Sequence, residues 1–170
     1  MQKTPETGVS IFYQTDIKKN GTWVDKSFLC QKAAASAGSE LLWHKIVCRK
    51  GIDHITFGRP AYTHLLCFSK SLRVDLAKST ADVISECGEK VWERGMGLNA
   101  CLSIAKFIAE QTTSHTIVAP FCGHGSMLAA AELFSLHGIG IELSKKRAKA
   151  AKKIRISEDR KKWAVTTDVK

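Results

Sequence analysis

Short apolar runs alternate with longer stretches of helical spacing along most of this chain. Residues 9–15, VSIFYQT, gather β-branched and aromatic side chains in a run typical of a buried strand. Asn20-Gly21 marks a turn, and residues 26–37, KSFLCQKAAASA, predict a helix that Asp25 can cap and Gly38 can end. Residues 40–49 (ELLWHKIVCR) and 63–71 (THLLCFSKS) read as a second and a third strand. Between them, residues 50–62 (KGIDHITFGRPAY) mix polarity with two glycines and a proline, the composition of a loop. Residues 72–98 form a long, weakly patterned connection. Asn99 is placed to cap a helix over 100–111, where Leu102, Ala105, Ile108 and Ala109 recur at helical spacing. The remainder reads as a strand over 115–120, a turn over 123–126, a helix over 127–136 and a strand over 137–143. A helix over 144–156 behind Ser144 and a short strand over 162–167 complete it.

Strands alternating with helices predict an α/β protein with a mostly parallel sheet. A length of 170 residues suits one domain, and 44% hydrophobic content is enough for a core and too high for a disordered chain. No apolar run reaches the roughly 18 residues of a membrane span, and the opening MQKTPETGVS has no signal-peptide core. The expectation is a cytoplasmic protein (nuclear in a eukaryote) with no membrane partner. The six cysteines lie far apart without a C-x-x-C pair, which argues for reduced thiols and against a zinc site, so no metal is expected. The net charge is +10, and residues 144–170 supply +8 of it, with eleven Lys or Arg against three acids. Such a run suits a phosphate backbone, DNA or RNA, and equally a solvated helix face with a tail.

The chemistry concentrates in residues 118–126, VAPFCGHGS. In a β-α-β unit a glycine turn lets a ligand approach the backbone, and the helix that follows points free N–H groups at it. An acid ending the second strand, about 20 residues on, can accept both ribose hydroxyls. Gly123 and Gly125 form such a turn, and Glu142 follows Gly123 by 19 residues. The dinucleotide fingerprint requires a third glycine three residues after the second, where this chain has Leu128. That disfavours an NAD-dependent oxidoreductase. S-adenosylmethionine, which has an adenosine ribose and no phosphates, suits the loop better.

The string TIVAPFCGHGSMLAAAELFSLHGIGIELSKKRAKAAKKI resembles the cofactor-binding unit of permuted S-adenosylmethionine-dependent amino-methyltransferases of the adenine-N6/cytosine-N4 type. Their typical string is D-P-F-C-G-S-G-T, an Ala-rich helix, then G-I-E. LLWHKIVCRK and FGRPAYTHLLCFSKS resemble the late strands of these enzymes, with W-x-K and Y-x-H-x-L-x-F-S-K patterns, so the resemblance runs over roughly 9–155. It implies a Rossmann-like methyltransferase fold, circularly permuted, in one domain over 1–170. Residues 9–71 would supply the late strands, 72–98 a connection, 99–155 the cofactor unit and 156–170 a basic tail. It further implies that Pro120 sets the turn and that Phe121, Cys122, Gly123, Gly125 and Ser126 line the cofactor loop. Glu142 would bind the ribose, Leu143 would pack near the adenine, and Asn99 and Ala100 would lie near the methionine moiety.

Two positions depart from the family. Its acid before the proline, which helps hold the cofactor, is Ala119 here, and its D/N/S-P-P-aromatic tetrapeptide has no counterpart, since the prolines are Pro5, Pro60 and Pro120. The strand bearing that tetrapeptide sits centrally in the family's sheet, between the counterparts of TIVAP and VSIFYQT. The expectation is therefore an incomplete sheet, the C-terminal portion of a longer methyltransferase or a descendant without its front end. Direct pairing of the two strands, or a second copy or another subunit, would complete the sheet. Two functions stay open: methyl transfer to an amino group of nucleic acid, or a catalytically inactive cofactor-binding or partner subunit. The FGRPAY stretch offers Phe57, Arg59 and Tyr62 as candidate substrate contacts, by stacking and phosphate pairing. Trp92 and Arg94 are candidates for a lid, and His124 for a neighbour of the cofactor carboxylate. His44 and Lys45 read mainly as packed strand residues.

Overall fold

The structure, a computed structural model, describes Met1, residues 3–159 and residues 162–165; the chain divides into two compact units, Met1–Glu86 and Cys87–Lys170. The division falls inside the connection expected over 72–98. No helix among the described residues is long and apolar enough to cross a membrane.

The first unit is built on β1 (Val9–Gln14), β2 (Ile17–Lys19), β3 (Thr22–Val24), α1 (Lys26–Ser36), β4 (Glu40–Cys48), β5 (Tyr62–Ser69) and β6 (Val83–Ile84). Asn20 and Gly21 close the β2–β3 hairpin as the turn signal requires. Asp25 caps α1 by accepting from the Phe28 N–H at 2.8 Å, and Gly38 lies just past the helix end with positive φ. The sheet order is β1-β5-β4-β6. β5 is its apolar centre: Leu65, Leu66 and Cys67 are fully buried, and each such leucine contributes about 1.5–3 kcal/mol. Ala34 of α1 packs on Leu66 and Phe68, with Phe12 set edge-on to Phe68 at 5.9 Å.

The expected mostly parallel sheet is corrected here. β5 runs antiparallel to both β1 and β4, and in this sheet the parallel pairing among the described residues is that of β4 with the two-residue β6. The cause is the 49–61 connection, which has no helix. A parallel return needs a crossover, whereas a plain loop sends the chain back antiparallel. β5 thereby enters between β1 and β4, which α1 had joined in the same direction. β1 is an edge strand of this sheet. Tyr62, expected in the loop, is the first residue of β5. Lys45 is buried, and its ammonium donates to the carbonyls of Thr80 and Ala81 at 2.9 and 2.8 Å, which fixes the entry to β6.

The second unit contains α2 (Leu98–Gln111), β7 (Thr116–Ala119), α3 (Ser126–Leu133), β8 (His137–Gly140), α4 (Lys145–Ala151), β9 (Ile154–Ile156) and β10 (Trp163–Val165). β7 and β8 are parallel, as the β-α-β reading requires, and among the described residues β7 pairs with β8 alone. Cys101 and Ala105 of α2 meet Ala130 of α3, small residues that bring the helices close; Met96, Phe134, Ile156 and Trp163 close the cluster. Asn99 is not the cap of α2. The helix starts at Leu98 behind Gly97, because the carbonyls of Glu89 and Cys87 accept from the Leu98 and Asn99 N–H groups at 2.9 and 3.1 Å. Ser144 does cap α4, but the helix expected over 144–156 ends at Ala151. The IRI segment instead pairs antiparallel with Trp163–Val165, which buries Ile154. Residues 160, 161 and 166–170 of the basic tail lie outside the described residues.

Candidate cofactor-binding site

The glycine turn sits at the carboxyl end of β7, beside the carboxyl end of β8. The ladder runs past both strands: the Ile141 N–H donates to Ala119 O, and the Cys122 N–H to Ile141 O, each at 3.0 Å. This pins the turn to the segment that carries Glu142. Ligands of open α/β sheets bind at such carboxyl ends. Pro120 directly follows β7, and Ser126 is the buried first residue of α3.

The two glycines act differently. Gly123 has φ +56°, and a Cβ there would meet nothing closer than Trp92 Nε1 at 3.9 Å, so its face is open. Gly125 has φ +85°, and a Cβ there would lie 2.8 Å from Cα and Cβ of Ala151, so its face is filled by the end of α4. The Gly125 N–H donates to Cys122 O at 2.8 Å and closes the turn.

Glu142 lies two residues beyond β8 and is half-buried; its Oε1 accepts from the Ser144 N–H at 2.9 Å, which holds the carboxylate beside the turn. Burial raises the Cys122 thiol pKa, and the negative charge of Glu142 raises it further. Phe121 and Leu143 are 93% and 99% exposed, so the two strand ends present apolar side chains to solvent. Val118, Ile139 and Ile141 are also more than 40% exposed and extend that face. Asn99 is exposed near the start of α2, with its amide tucked against Gly88, whereas Ala100 is fully buried.

A cleft of about 540 Å³ lies along β8 between α3 and the α4–β9 segment. Cys122 and Glu142 reach one end of it; the other expected cofactor residues do not line it, and of these Ser126 and Ala100 are buried whereas Phe121, Leu143 and Asn99 are exposed. Leu128 lines the same cleft and lies across Gly138 and Gly140, where added Cβ atoms would come within 3.3 and 2.6 Å of its Cδ atoms.

Trp92 leans over the turn. Its ring is 5.6 Å from that of His124, with the Arg147 guanidinium 5.0 Å from its centroid. Among the described residues, His124 Nδ1 is buried without a hydrogen-bond partner. Sequence reasoning missed Arg147 as a neighbour of the turn, since its lysine-rich surroundings made it one basic residue among many. Of the candidate substrate contacts in the first unit, Phe57 is 87% exposed and Arg59 is exposed, on a loop tied down where the Lys18 N–H donates to Gly58 O. Tyr62 stands apart from them, half-buried and edge-on to His64 at 5.3 Å.

No protein-family model matches the sequence, and no curated protein matches it. Solved structures do match. TTHA0409 of Thermus thermophilus, provisionally assigned as a DNA modification methylase and solved with S-adenosyl-L-methionine, aligns at TM-score 0.64 and 15% identity, over 86% of this chain and 67% of its own. The M1.HpyAVI–SAM complex aligns at 0.60 and 15%, over 88% and 75%. The cytosine-N4-specific PvuII DNA methyltransferase aligns at 0.64 and 13%, over 86% and 63%. The chain thus has the Rossmann-like α/β fold of these proteins and spans about two thirds of the length of TTHA0409 and PvuII. The likeness agrees with the resemblance to amino-methyltransferases read from the glycine loop.

Proposed function

We propose that this chain binds S-adenosylmethionine at the 120–126 turn and belongs to a methyltransferase, of permuted strand order, that acts on an amino group of DNA or RNA. One observation carries the reading: a glycine turn with an open face at the end of β7 is bonded directly to the segment bearing Glu142 at the end of β8. The chain's own groups fit the cofactor. Glu142 is held to accept both ribose hydroxyls. Phe121 and Leu143 flank the strand ends as apolar walls for an adenine. The open face of Gly123 admits a ligand to the backbone, and the unpartnered His124 Nδ1 beside it, with Arg147 across Trp92, suits an amino-acid carboxylate. Asn99 is the polar residue at the start of α2. When bound, the cofactor supplies an electrophilic methyl group; the protein's part is to bind and orient, since in-line transfer depends on positioning. Phe57 and Arg59 are the proposed nucleic-acid contacts, by stacking and phosphate pairing.

Calorimetry with S-adenosylmethionine and S-adenosylhomocysteine tests the reading. Both should bind, and Glu142→Ala should weaken them about 10- to 100-fold, the loss of hydrogen bonds to a charged group worth about 1.5–3 kcal/mol. No heat with either ligand would refute it. Ala119, standing where related loops carry an acid, supports a second reading, a subunit that binds the cofactor and does not transfer. Tritiated-methyl transfer to DNA, tRNA and rRNA separates the two.

A further inference from the structure

The first unit carries a surface of apolar side chains and unpaired cations that its own core does not use. Ile52 and Ile55 are 89% and 78% exposed, and Phe57, two residues further along the same loop, is equally bare. Side chains left so far in water add little to folding, and such a cluster marks a contact surface. The loop is nonetheless held in place. The Lys18 N–H donates to Gly58 O at 3.0 Å, and the Lys18 ammonium donates to Thr56 O at 2.9 Å. Lys18 belongs to the β2–β3 hairpin, where Trp23 lies directly opposite it, and its ammonium is 5.2 Å from the Trp23 ring centroid. Trp23 is 48% exposed, and its indole N–H donates to Asp16 Oδ2 at 2.9 Å. The ring is thus fixed through its one polar atom and shows carbon to solvent.

The charge of this surface has one sign. Residues 17–24 and 49–61 together hold five Lys or Arg and one acid, Asp53. Lys18 and Arg49 donate to backbone carbonyls, which leaves their charge uncompensated. Lys19, Lys50 and Arg59 are exposed and have no acidic partner among the described residues. The flanking carboxylates are engaged elsewhere, since Asp16 is buried and Asp25 caps α1. Rings beside unpaired cations are what a single nucleic-acid strand requires, base faces for the rings and phosphates for the cations. A duplex closes its base faces by stacking, so it would meet the cations and leave Phe57 in water. Folded RNA leaves loops and bulges unpaired. A bilayer would also receive an apolar loop, but an interfacial tryptophan keeps its N–H for the polar layer, and Trp23 has committed its own to Asp16.

We propose that the β2–β3 hairpin and the 50–59 loop form a platform for unpaired RNA, on which Trp23 and Phe57 stack bases while Lys19, Lys50 and Arg59 pair with phosphates. The choice of nucleic acid rests on the methyl-transfer reading, and the platform narrows its substrate class to a single-stranded stretch of RNA. Every residue of the platform belongs to the first unit, and binding there requires nothing of the glycine turn.

Fluorescence anisotropy of the whole protein with a short labelled RNA of mixed sequence, alone and annealed to its complement, tests the platform. The single strand should bind at least about tenfold tighter than the annealed form. Phe57→Leu keeps apolar bulk and removes the ring. At so exposed a position it should fold as the parent does, weaken single-strand binding about 5- to 100-fold and leave the annealed form unaffected. Phe57→Tyr, which keeps the ring, should bind as the parent does. Replacing Lys19, Lys50 and Arg59 together by Gln should reduce the slope of log K against log salt by about 2, for three phosphate contacts at about 0.7 each. Equal affinity for the two forms, or a Phe57→Leu variant indistinguishable from the parent, would overturn the platform. So would a DNA strand of the same sequence that binds where the RNA does not, or flotation with phosphatidylserine vesicles in the absence of RNA binding. Calorimetry with S-adenosylhomocysteine reads the other site. Heat without RNA binding overturns the platform alone, and RNA binding without heat overturns the cofactor reading alone.

Discussion

Gly125→Ala is the substitution for which the structure sets the cost most directly. At φ +85° an L-residue occupies the left-handed region, which costs about 1–2 kcal/mol. The new methyl would also lie 2.8 Å from Ala151 Cα and Cβ and 2.9 Å from its carbonyl oxygen. Two of those atoms are backbone, so relief means moving the end of α4, an overpacking cost of about 1–3 kcal/mol. The total is about 2–5 kcal/mol. Gly123→Ala is the internal control: φ is also positive, at +56°, but the nearest atom is at 3.9 Å, an ordinary contact. It should cost only the conformational part, about 1–2 kcal/mol. Urea unfolding of both variants gives the difference, and hydrogen exchange of the α3 amides localises it. With cofactor the ranking should reverse in kind. Gly123→Ala places a methyl on the open face and should weaken binding more than it destabilises, whereas Gly125→Ala should mainly destabilise. Equal losses of stability in the two variants would refute the assignment of one glycine to packing and the other to ligand approach.

Phe121→Ala and Leu143→Ala should each change stability by less than about 0.5 kcal/mol, since both side chains are almost fully exposed, yet each should weaken S-adenosylhomocysteine binding in calorimetry. The first unit should lose stability as pH falls below the ordinary histidine value of 6.5, because the lowered pKa of His44 lets the unfolded chain take up a proton before the folded one does. A urea midpoint followed from about pH 7.5 to about pH 5 should show this slope, and His44→Gln should flatten it. Asp16 adds a second, more acidic loss. Burial opposes its charge, but bonds from His64, Trp23 and Lys26 prevail and hold its pKa below 3.8, so that stability goes as pH falls through the folded value.

The elements legible in the sequence were those set by local rules. Asp25, Asn20-Gly21 and Ser144 carry their own turn and cap chemistry, and each acts as its residue type requires. The β7-α3-β8 unit was legible for the same reason, with both glycines and the acid at their spacing. What escaped was decided by partners distant in sequence. The direction of β5 follows from a connection lacking a helix, and the start of α2 from the carbonyls of Cys87 and Glu89 upstream, which outcompete Asn99 as a cap. The IRI segment has a helix-compatible composition, and only its pairing with Trp163–Val165 makes it a strand. His44 read as a packed strand residue because its partner His64, 2.9 Å away, and Asp16 beyond it lie in other segments of the chain.

Leu128 shows how a single-position rule can mislead about packing. A third glycine in a dinucleotide turn lets the helix approach the strand. Here the bulk is on the helix and the glycines are on the facing strand: Gly140 would place a Cβ 2.6 Å from Leu128 Cδ1 and 2.8 Å from Cys122 Sγ. Close approach is kept by exchanging which partner is small. Gly140→Ala should therefore destabilise the second unit by about 1–3 kcal/mol through overpacking, since the obstructing atoms are side-chain ends with limited room to yield. Leu128→Ala alone should cost about 2–5 kcal/mol if the site is as well packed as a core, and less to the degree that Leu128 borders the cleft. The double variant is the decisive measurement. Removing Leu128 vacates the space the new methyl needs, so the two losses should fall short of additivity by at least about 0.5 kcal/mol. Strict additivity would mean that the strand glycines are there for another reason, such as access to the cleft, and that the helix–strand spacing does not depend on them.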